Sequence, residues 1–219
     1  MSKRTIIIGD VHGCHKELSR LLKEVQADPK EDRILFIGDL INKGPSSRGV
    51  WDLFREMHGQ AILGNHELSL LELVQGKFHK HGKYFEQLQK DFGRYFTDFV
   101  QDVSNWPLWF EDHELMLVHA GLVPGLHPDQ TDPWVLTTIR TWDGEGTDLK
   151  NSNNPPWFDF YAGNDLVVFG HWAALGGLDR PRLVGLDTGC VYGGRLSCLI
   201  LPERKLVSVP AKKAYAAIN

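Results

Sequence analysis

The stretch Thr5-Ile6-Ile7-Ile8-Gly9-Asp10-Val11-His12-Gly13 decides the reading of this chain. Its first four residues form a buried-type strand, and a glycine-flanked Asp-x-His follows directly at the carboxyl end. Asp10 and His12, two apart, point the same way off an extended strand end, and the glycines let the backbone turn sharply beside them. The pattern recurs. Ile34–Ile37 is a second strand ending in Gly38-Asp39, and Ala61–Leu63 a third that runs into Gly64-Asn65-His66-Glu67. Later strands, Leu115–Val118 and Leu166–Phe169, lead into His119-Ala120-Gly121 and Gly170-His171. Open α/β sheets place their sites at such carboxyl ends. At ~5% usage per residue type, G-D-x-H-G arises by chance in roughly one chain per thousand of this length. G-N-H-E is comparably rare.

Between the strands the period changes to that of helices. Leu18, Leu21, Leu22 and Val25 keep helical spacing, as do Val50, Leu53, Phe54 and Met57, and Leu68–Val74 looks helical. Residues 83–103 are the longest helical candidate, with Phe85, Leu88, Phe92, Tyr95, Phe96, Phe99 and Val103 near one face; this is expected to be an ordinary packed helix. Strands return at Leu183–Leu186, Leu196–Leu201 and Leu206–Val209. The alternation argues for an α/β fold. Residues 143–164, rich in Gly, Asn and Pro, read as a long loop, a kind that is usually functional or mobile. No repeat, low-complexity tract or linker is visible, so a single domain over 1–219 is expected.

At 219 residues the chain should bury about 70–75% of the surface its unfolded form exposes. Lys plus Arg number 24 against 28 Asp plus Glu, a net charge of −4, which argues against stable nucleic-acid binding. The apolar runs fall far short of the ~20 residues that span a bilayer, and MSKRTIIIGD reads as a strand start rather than a signal peptide. Cys14, Cys190 and Cys198 offer no disulfide framework, so a reducing cytoplasm is the simplest compartment.

Asp, His and Asn are oxygen and nitrogen donors suited to divalent first-row metals. In the order found here they resemble the calcineurin-like metallophosphoesterases over essentially the whole chain. The resemblance implies two mixed β-sheets packed as a sandwich and flanked by helices. It implies two divalent metal ions, manganese first and iron, cobalt, nickel or zinc as alternatives. Asp10, His12 and Asp39 would bind one ion; Asp39 would bridge to a second, completed by Asn65, His119 and His171. His66 would act as general acid or orient the leaving group. Two ions clamp the attacking and leaving oxygens of an in-line displacement and deliver hydroxide at neutral pH. With two Asp against two divalent ions the site keeps a local charge of +2, which attracts phosphate into an acidic protein.

Within that superfamily the chain is more similar to the ApaH-like phosphatases and bacterial diadenosine tetraphosphatases, through Gly38-Asp39-Leu40-Ile41-Asn42-Lys43-Gly44-Pro45, Phe169-Gly170-His171-Trp172-Ala173 and residues 186–194. Phosphoprotein phosphatases have Asp-Arg where this chain has Asn42-Lys43. A carboxylate at 42 would charge-stabilise His66 as an acid, which an alkoxide leaving group needs and an anhydride leaving group needs much less. The substrate expected is therefore a nucleoside polyphosphate, diadenosine tetraphosphate leading, split to ADP. A protein or broad monoester phosphatase, an RNA 5′-cap hydrolase and a metal-loaded scaffold remain the alternatives. Lys43 keeps a charge on phosphate without the Arg fork. Arg140 resembles the family's second phosphate-binding Arg, with a structural ion pair as the rival reading. The basic run Gly76–Lys83 is read as a solvated turn, with a polyphosphate contact as the alternative. Trp157, Phe158, Phe160 and Tyr161 are read as core or as a base-stacking set. Asp187 is expected beside the site rather than on a metal.

Overall fold

The computed structural model describes residues 4–77, 83–113 and 115–217. The basic run at 76–83 therefore lies largely outside the described residues. Along the chain come β1 (Thr5–Ile8), α1 (His15–Glu24), β2 (Arg33–Phe36), α2 (Ser47–Glu56), β3 (Gln60–Ala61), α3 (Asn65–Val74), α4 (Lys83–Phe92) and α5 (Phe96–Ser104). There follow β4 (Trp109–Asp112), β5 (Leu115–Val118), α6 (Pro133–Thr138), β6 (Leu166–Phe169), β7 (Leu178–Arg180), β8 (Leu183–Gly185), β9 (Arg195–Leu201) and β10 (Lys205–Pro210).

Two five-stranded mixed sheets result, ordered β10-β9-β1-β2-β3 and β4-β5-β6-β8-β7. In the first, β1, β2 and β3 run parallel and β9 antiparallel to β1. In the second, β5, β6 and β8 are parallel, with antiparallel β4 and β7 at the edges. The apolar strands are buried on both faces, and the period of two sorts their side chains between layers. Ile7, Leu35, Leu117 and Val168 meet between the sheets. Ile6, Ile8, Ile34 and Phe36 pack outward under the helices, and Met116, Val118, Val167 and Phe169 under the 122–161 segment.

Several elements depart from the sequence reading. The long helix at 83–103 is two helices, because Gly93 takes a left-handed φ of 51° and a 3-10 turn, Gly93–Tyr95, separates them. The break folds Phe92 back onto Phe99, ring on ring at 4.0 Å, with Trp51 beside both. β3 pairs over only two residues, and Leu63 then bonds Pro107 instead of a neighbouring strand. α3 begins at Asn65 rather than Leu68, because Gly64 is extended at its N-cap and donates its N–H to the Glu67 carboxylate. α6, capped by Asp132, and the edge strands β4 and β7 had no periodic signal strong enough to read. In the 143–164 loop, Trp157 and Phe158 are core residues, whereas Phe160 is exposed. Near the loop's start, Asp143 accepts from the N–H groups of Glu145, Gly146, Thr147 and Asp148.

Candidate metal centre

The carboxyl ends of β1, β2 and β3 in one sheet and of β5 and β6 in the other converge on one spot, and the chain leaves each of them abruptly. His12, Asp39, Asn42, Lys43 and His171 all adopt left-handed backbone, with φ between 46° and 70°. Each such non-glycine residue costs about 1 kcal/mol, so the surrounding structure must impose these turns. It does so by cross-linking the loops. The N–H groups of Val11 and His12 donate to the Asp39 carbonyl, and Gly13 donates to Leu40. Gly170 donates to the His119 carbonyl at 2.7 Å, tying the second sheet's two ends together. A Cβ at Gly64 would overlap the Asp39 carboxylate, so only glycine lets α3 start this close.

Glu67, quoted in the sequence motif but given no role there, is the central brace. Fully buried, it accepts from the N–H groups of Asp39 (2.8 Å), Leu40 (2.9 Å), Ile41 (3.3 Å) and Gly64 (3.1 Å). Its place three residues after the glycine N-cap was the available signal. Burial, with the Asp39 charge nearby, pushes its carboxyl up to about 7.

Two histidines are aimed by their backs. His12 Nδ1 bonds the Ile41 carbonyl (3.1 Å) and His119 Nδ1 the Ile37 carbonyl (2.7 Å). A carbonyl only accepts, so each Nδ1 carries a proton and each Nε2 is the atom turned to the centre. Asp39 Oδ2 stands between them, 3.4 Å from His12 Nε2 and 3.5 Å from His119 Nε2. Asn65 Oδ1 is 3.2 Å from His119 Nε2 and 3.0 Å from His171 Nδ1. Two compact donor groups follow, His12–Asp39–His66 and Asp39–His119–His171, which share Asp39. Asp10 belongs to neither. Its carboxylate lies beside them, accepting the His171 N–H at 3.1 Å.

Burial works against ionising Asp39, but the histidines His119, His66 and His12 outweigh it and hold the carboxyl well below its usual range. Asp10 is pushed well above that range, by burial first and then by Asp187. Burial lowers His12 to about 3; His119 resists its burial through Asp39 and rises to about 10. Burial lifts Asp187 to about 6. Such a dense set of buried oxygen and nitrogen donors asks for cationic compensation, and a cation already leans on it: Lys43 Nζ lies 3.1 Å from His12 Nε2 and 5.4 Å from the Tyr192 ring centre. The residues present fit divalent first-row metals.

His66 flanks this centre, its ring 5.0 Å edge-on from that of His12. Asn42 Nδ2 lies 2.8 Å from His66 Nδ1, and the His66 N–H donates to Asp39 Oδ1 at 3.0 Å. Burial lowers the pKa of His66. On the opposite flank is His171, whose pKa is lowered well below the usual value by burial first and then by the His119 charge, with the Arg140 and Lys150 charges adding to it. Arg140 makes no ion pair among the described residues, and its Nε is buried without a partner. Leu149 accepts from the N–H groups of Arg140 and Thr141, which carries Lys150 to this flank. Lys150 escaped the sequence reading, since a lone Lys in a loop carries no spacing signal, and Tyr192 was read only as part of the 186–194 run, with no role of its own. Cys14, Cys190 and Cys198 are buried free thiols, Cys14 raised by its hydrogen bond with Cys190 and then by burial, Cys198 raised by burial to about 12.

The sequence profile of the calcineurin-like phosphoesterases matches residues 3–175. A symmetrical bis(5′-nucleosyl)-tetraphosphatase of Methylobacillus flagellatus is 30% identical, over 98% of this chain and 99% of its own. One from Paracidovorax citrulli is 32% identical over 95% of this chain and 98% of its own. The crystal structure of a candidate diadenosine tetraphosphatase superposes with a TM-score of 0.86 at 34% identity, covering 96% of this chain and 95% of that one. A yeast protein serine/threonine phosphatase shares the fold alone, at 13% identity and a TM-score of 0.62 over 99% of this chain and 81% of that one.

Proposed function

The chain belongs to the calcineurin-like phosphoesterases and is a metal-dependent hydrolase, and we propose that it cleaves the phosphoric anhydrides of nucleoside polyphosphates, diadenosine tetraphosphate to ADP foremost. The two tetraphosphatase relatives, matched over nearly their full lengths, support that substrate. The observation that carries it within the site is the Asn42–His66 pair. With the amide nitrogen donating to Nδ1, the ring is neutral and presents an Nε2–H. A neutral imidazole donates a hydrogen bond to a departing oxygen but yields its proton reluctantly. That suffices for a phosphate leaving from an anhydride and falls short for the alkoxide of phosphoserine.

Asp10, His12 and Asp39 are assigned to one ion, and Asp39, Asn65, His119 and His171 to the other, manganese being the first choice. Bound ions polarise phosphoryl oxygens and lower the pKa of water to near neutrality. The chain's own groups do the rest. Lys43 and Arg140 hold non-bridging oxygens from opposite flanks. Arg140 suits that work because its charge reaches His171, its Nε is buried without a partner, and it makes no ion pair among the described residues. Glu67 keeps the 39–41 loop, and so Asp39, in place.

Manganese-loaded protein offered diadenosine tetraphosphate, a phosphoserine peptide and p-nitrophenyl phosphate in competition, with products resolved by chromatography, tests the reading. The expected result is preference for the dinucleotide with ADP as sole product. Preference for the peptide overturns it, and AMP plus ATP would overturn symmetrical cleavage.

A further inference from the structure

On the His66 side the cleft opens into a recess of about 220 Å³ between α3, α4 and α6. Asn65 and His66 line it, so whatever occupies it is continuous with a group held at the centre. Leu70 and Leu73 of α3 contribute apolar surface, and Tyr84 and Trp134 contribute aromatic rings. No described lining residue carries a formal charge, in contrast to the centre, which gathers Lys43, Arg140 and Lys150. The described lining of the recess therefore offers phosphates no charged partner. It is built for a flat, uncharged, polarisable group.

The two rings are differently prepared. Trp134 is fixed, its Nε1–H on Glu72 at 3.0 Å and its backbone N–H on the Asp132 cap at 2.8 Å. Tyr84 is 47% exposed, a large side chain left at the mouth of the cleft with its ring 6.2 Å from that of His66. Asn42, also in the lining, has a buried Oδ1 without a partner, and Ser69 adds a hydroxyl; an amino-bearing heterocycle can use both. A base stacked on such rings gains sequence-tolerant affinity.

We infer that this recess takes the nucleobase of the departing nucleotide, stacked against Tyr84 and Trp134. The assignment rests on the polyphosphate reading above and adds to it what tells a nucleotide from a bare polyphosphate. The recess has room for one base with part of its sugar, so the second nucleoside lies elsewhere.

The test compares kcat/KM for diadenosine tetraphosphate and for inorganic tripolyphosphate, which has the anhydride but no base, in manganese-loaded wild type, Tyr84→Ala, Trp134→Phe and Tyr84→Phe. Quenching of tryptophan fluorescence by ADP is measured alongside. Tyr84→Ala is expected to lower the dinucleotide-to-tripolyphosphate ratio about ten-fold, through KM. Tyr84→Phe keeps the ring and restores the ratio, and Trp134→Phe loses part of the ADP quenching. An unchanged ratio in Tyr84→Ala overturns the assignment, as does an equal fall on both substrates through kcat, which would make Tyr84 a positioning residue for His66. Wild type inert on both polyphosphates but active on p-nitrophenyl phosphate would refute the polyphosphate reading instead. In that case, ADP quenching weakened by Tyr84→Ala supports the recess, and quenching indifferent to Tyr84 removes it.

Discussion

Asn42 sets what kind of acid His66 can be. A carboxylate in its place would demand a proton on Nδ1 and favour the imidazolium, a far stronger donor. Asn42→Asp is therefore predicted to raise monoester turnover relative to anhydride turnover, by about ten-fold or more. An unchanged ratio of p-nitrophenyl phosphate to diadenosine tetraphosphate kcat/KM would contradict that. Glu67 works on the same scale through the backbone. Glu67→Gln replaces one of two acceptor oxygens by an amino group that faces N–H donors, so at least one buried donor loses its partner. A loss of about 1–3 kcal/mol is expected, seen as a melting temperature several degrees lower; an unaltered melt would mean the brace contributes nothing. The six side chains proposed as metal ligands stand out in the sequence because each lies beside or within two residues of a glycine at a strand end. The structure gathers His12, Asp39, His119 and His171 into the two donor groups, with Asn65 against His119 and His171 and Asp10 beside them. Glu67 was visible in the same motif, and its Gly64 partner lies within reach of a capping rule, but its other three partners are backbone N–H groups 26 to 28 residues away, which no spacing rule reaches.

At the scale of elements, short strands are what make the site. β1, β2, β5 and β6 each run four residues and β3 only two, so the chain turns out of the sheet in time to deliver a ligand. β1, β2, β5 and β6 were legible from their short apolar runs, whereas β3, read at 61–63, pairs at Gln60–Ala61. The α4–α5 break was not legible, because the aromatic period continues through Gly93 while the backbone does not. The 143–164 loop is held at one end by Trp157 and Phe158 and near the other by Asp143, whose carboxylate binds four backbone N–H groups and the Thr147 hydroxyl. The Thr147 bond first, and the backbone bonds with it, hold the Asp143 carboxyl below its usual value. A depressed carboxyl contributes order that is complete above the unfolded pKa of about 4 and is lost as pH falls through the folded one. Amide exchange at Glu145–Asp148, corrected for intrinsic rates, is predicted to accelerate as pH drops below about 4. In Asp143→Asn it should be faster at neutral pH and lack that pH dependence. Equal protection in both proteins would show that Asp143 does not order the turn.

At the scale of the whole molecule, two sheets share one apolar interior, and their parallel strands end on the same side of it. Strand–helix alternation indicated the α/β class alone, and the two-sheet sandwich expected from the family resemblance is the one found. We propose that the 219 residues act as one domain, since the metal centre takes residues from both sheets. Among the described residues no helix is long and apolar enough to cross a membrane. Binding of ions to the folded form alone stabilises it by mass action, about 4 kcal/mol at a thousand times Kd. Manganese should therefore raise, and EDTA lower, the temperature of a single unfolding transition.

The central claim is that Asp39 is shared between two donor groups, and native mass spectrometry of manganese-dialysed protein tests it most directly. Two ions per chain are predicted for wild type, with both weakened together in Asp39→Asn. A single ion in wild type, or two ions retained in Asp39→Asn, would contradict it.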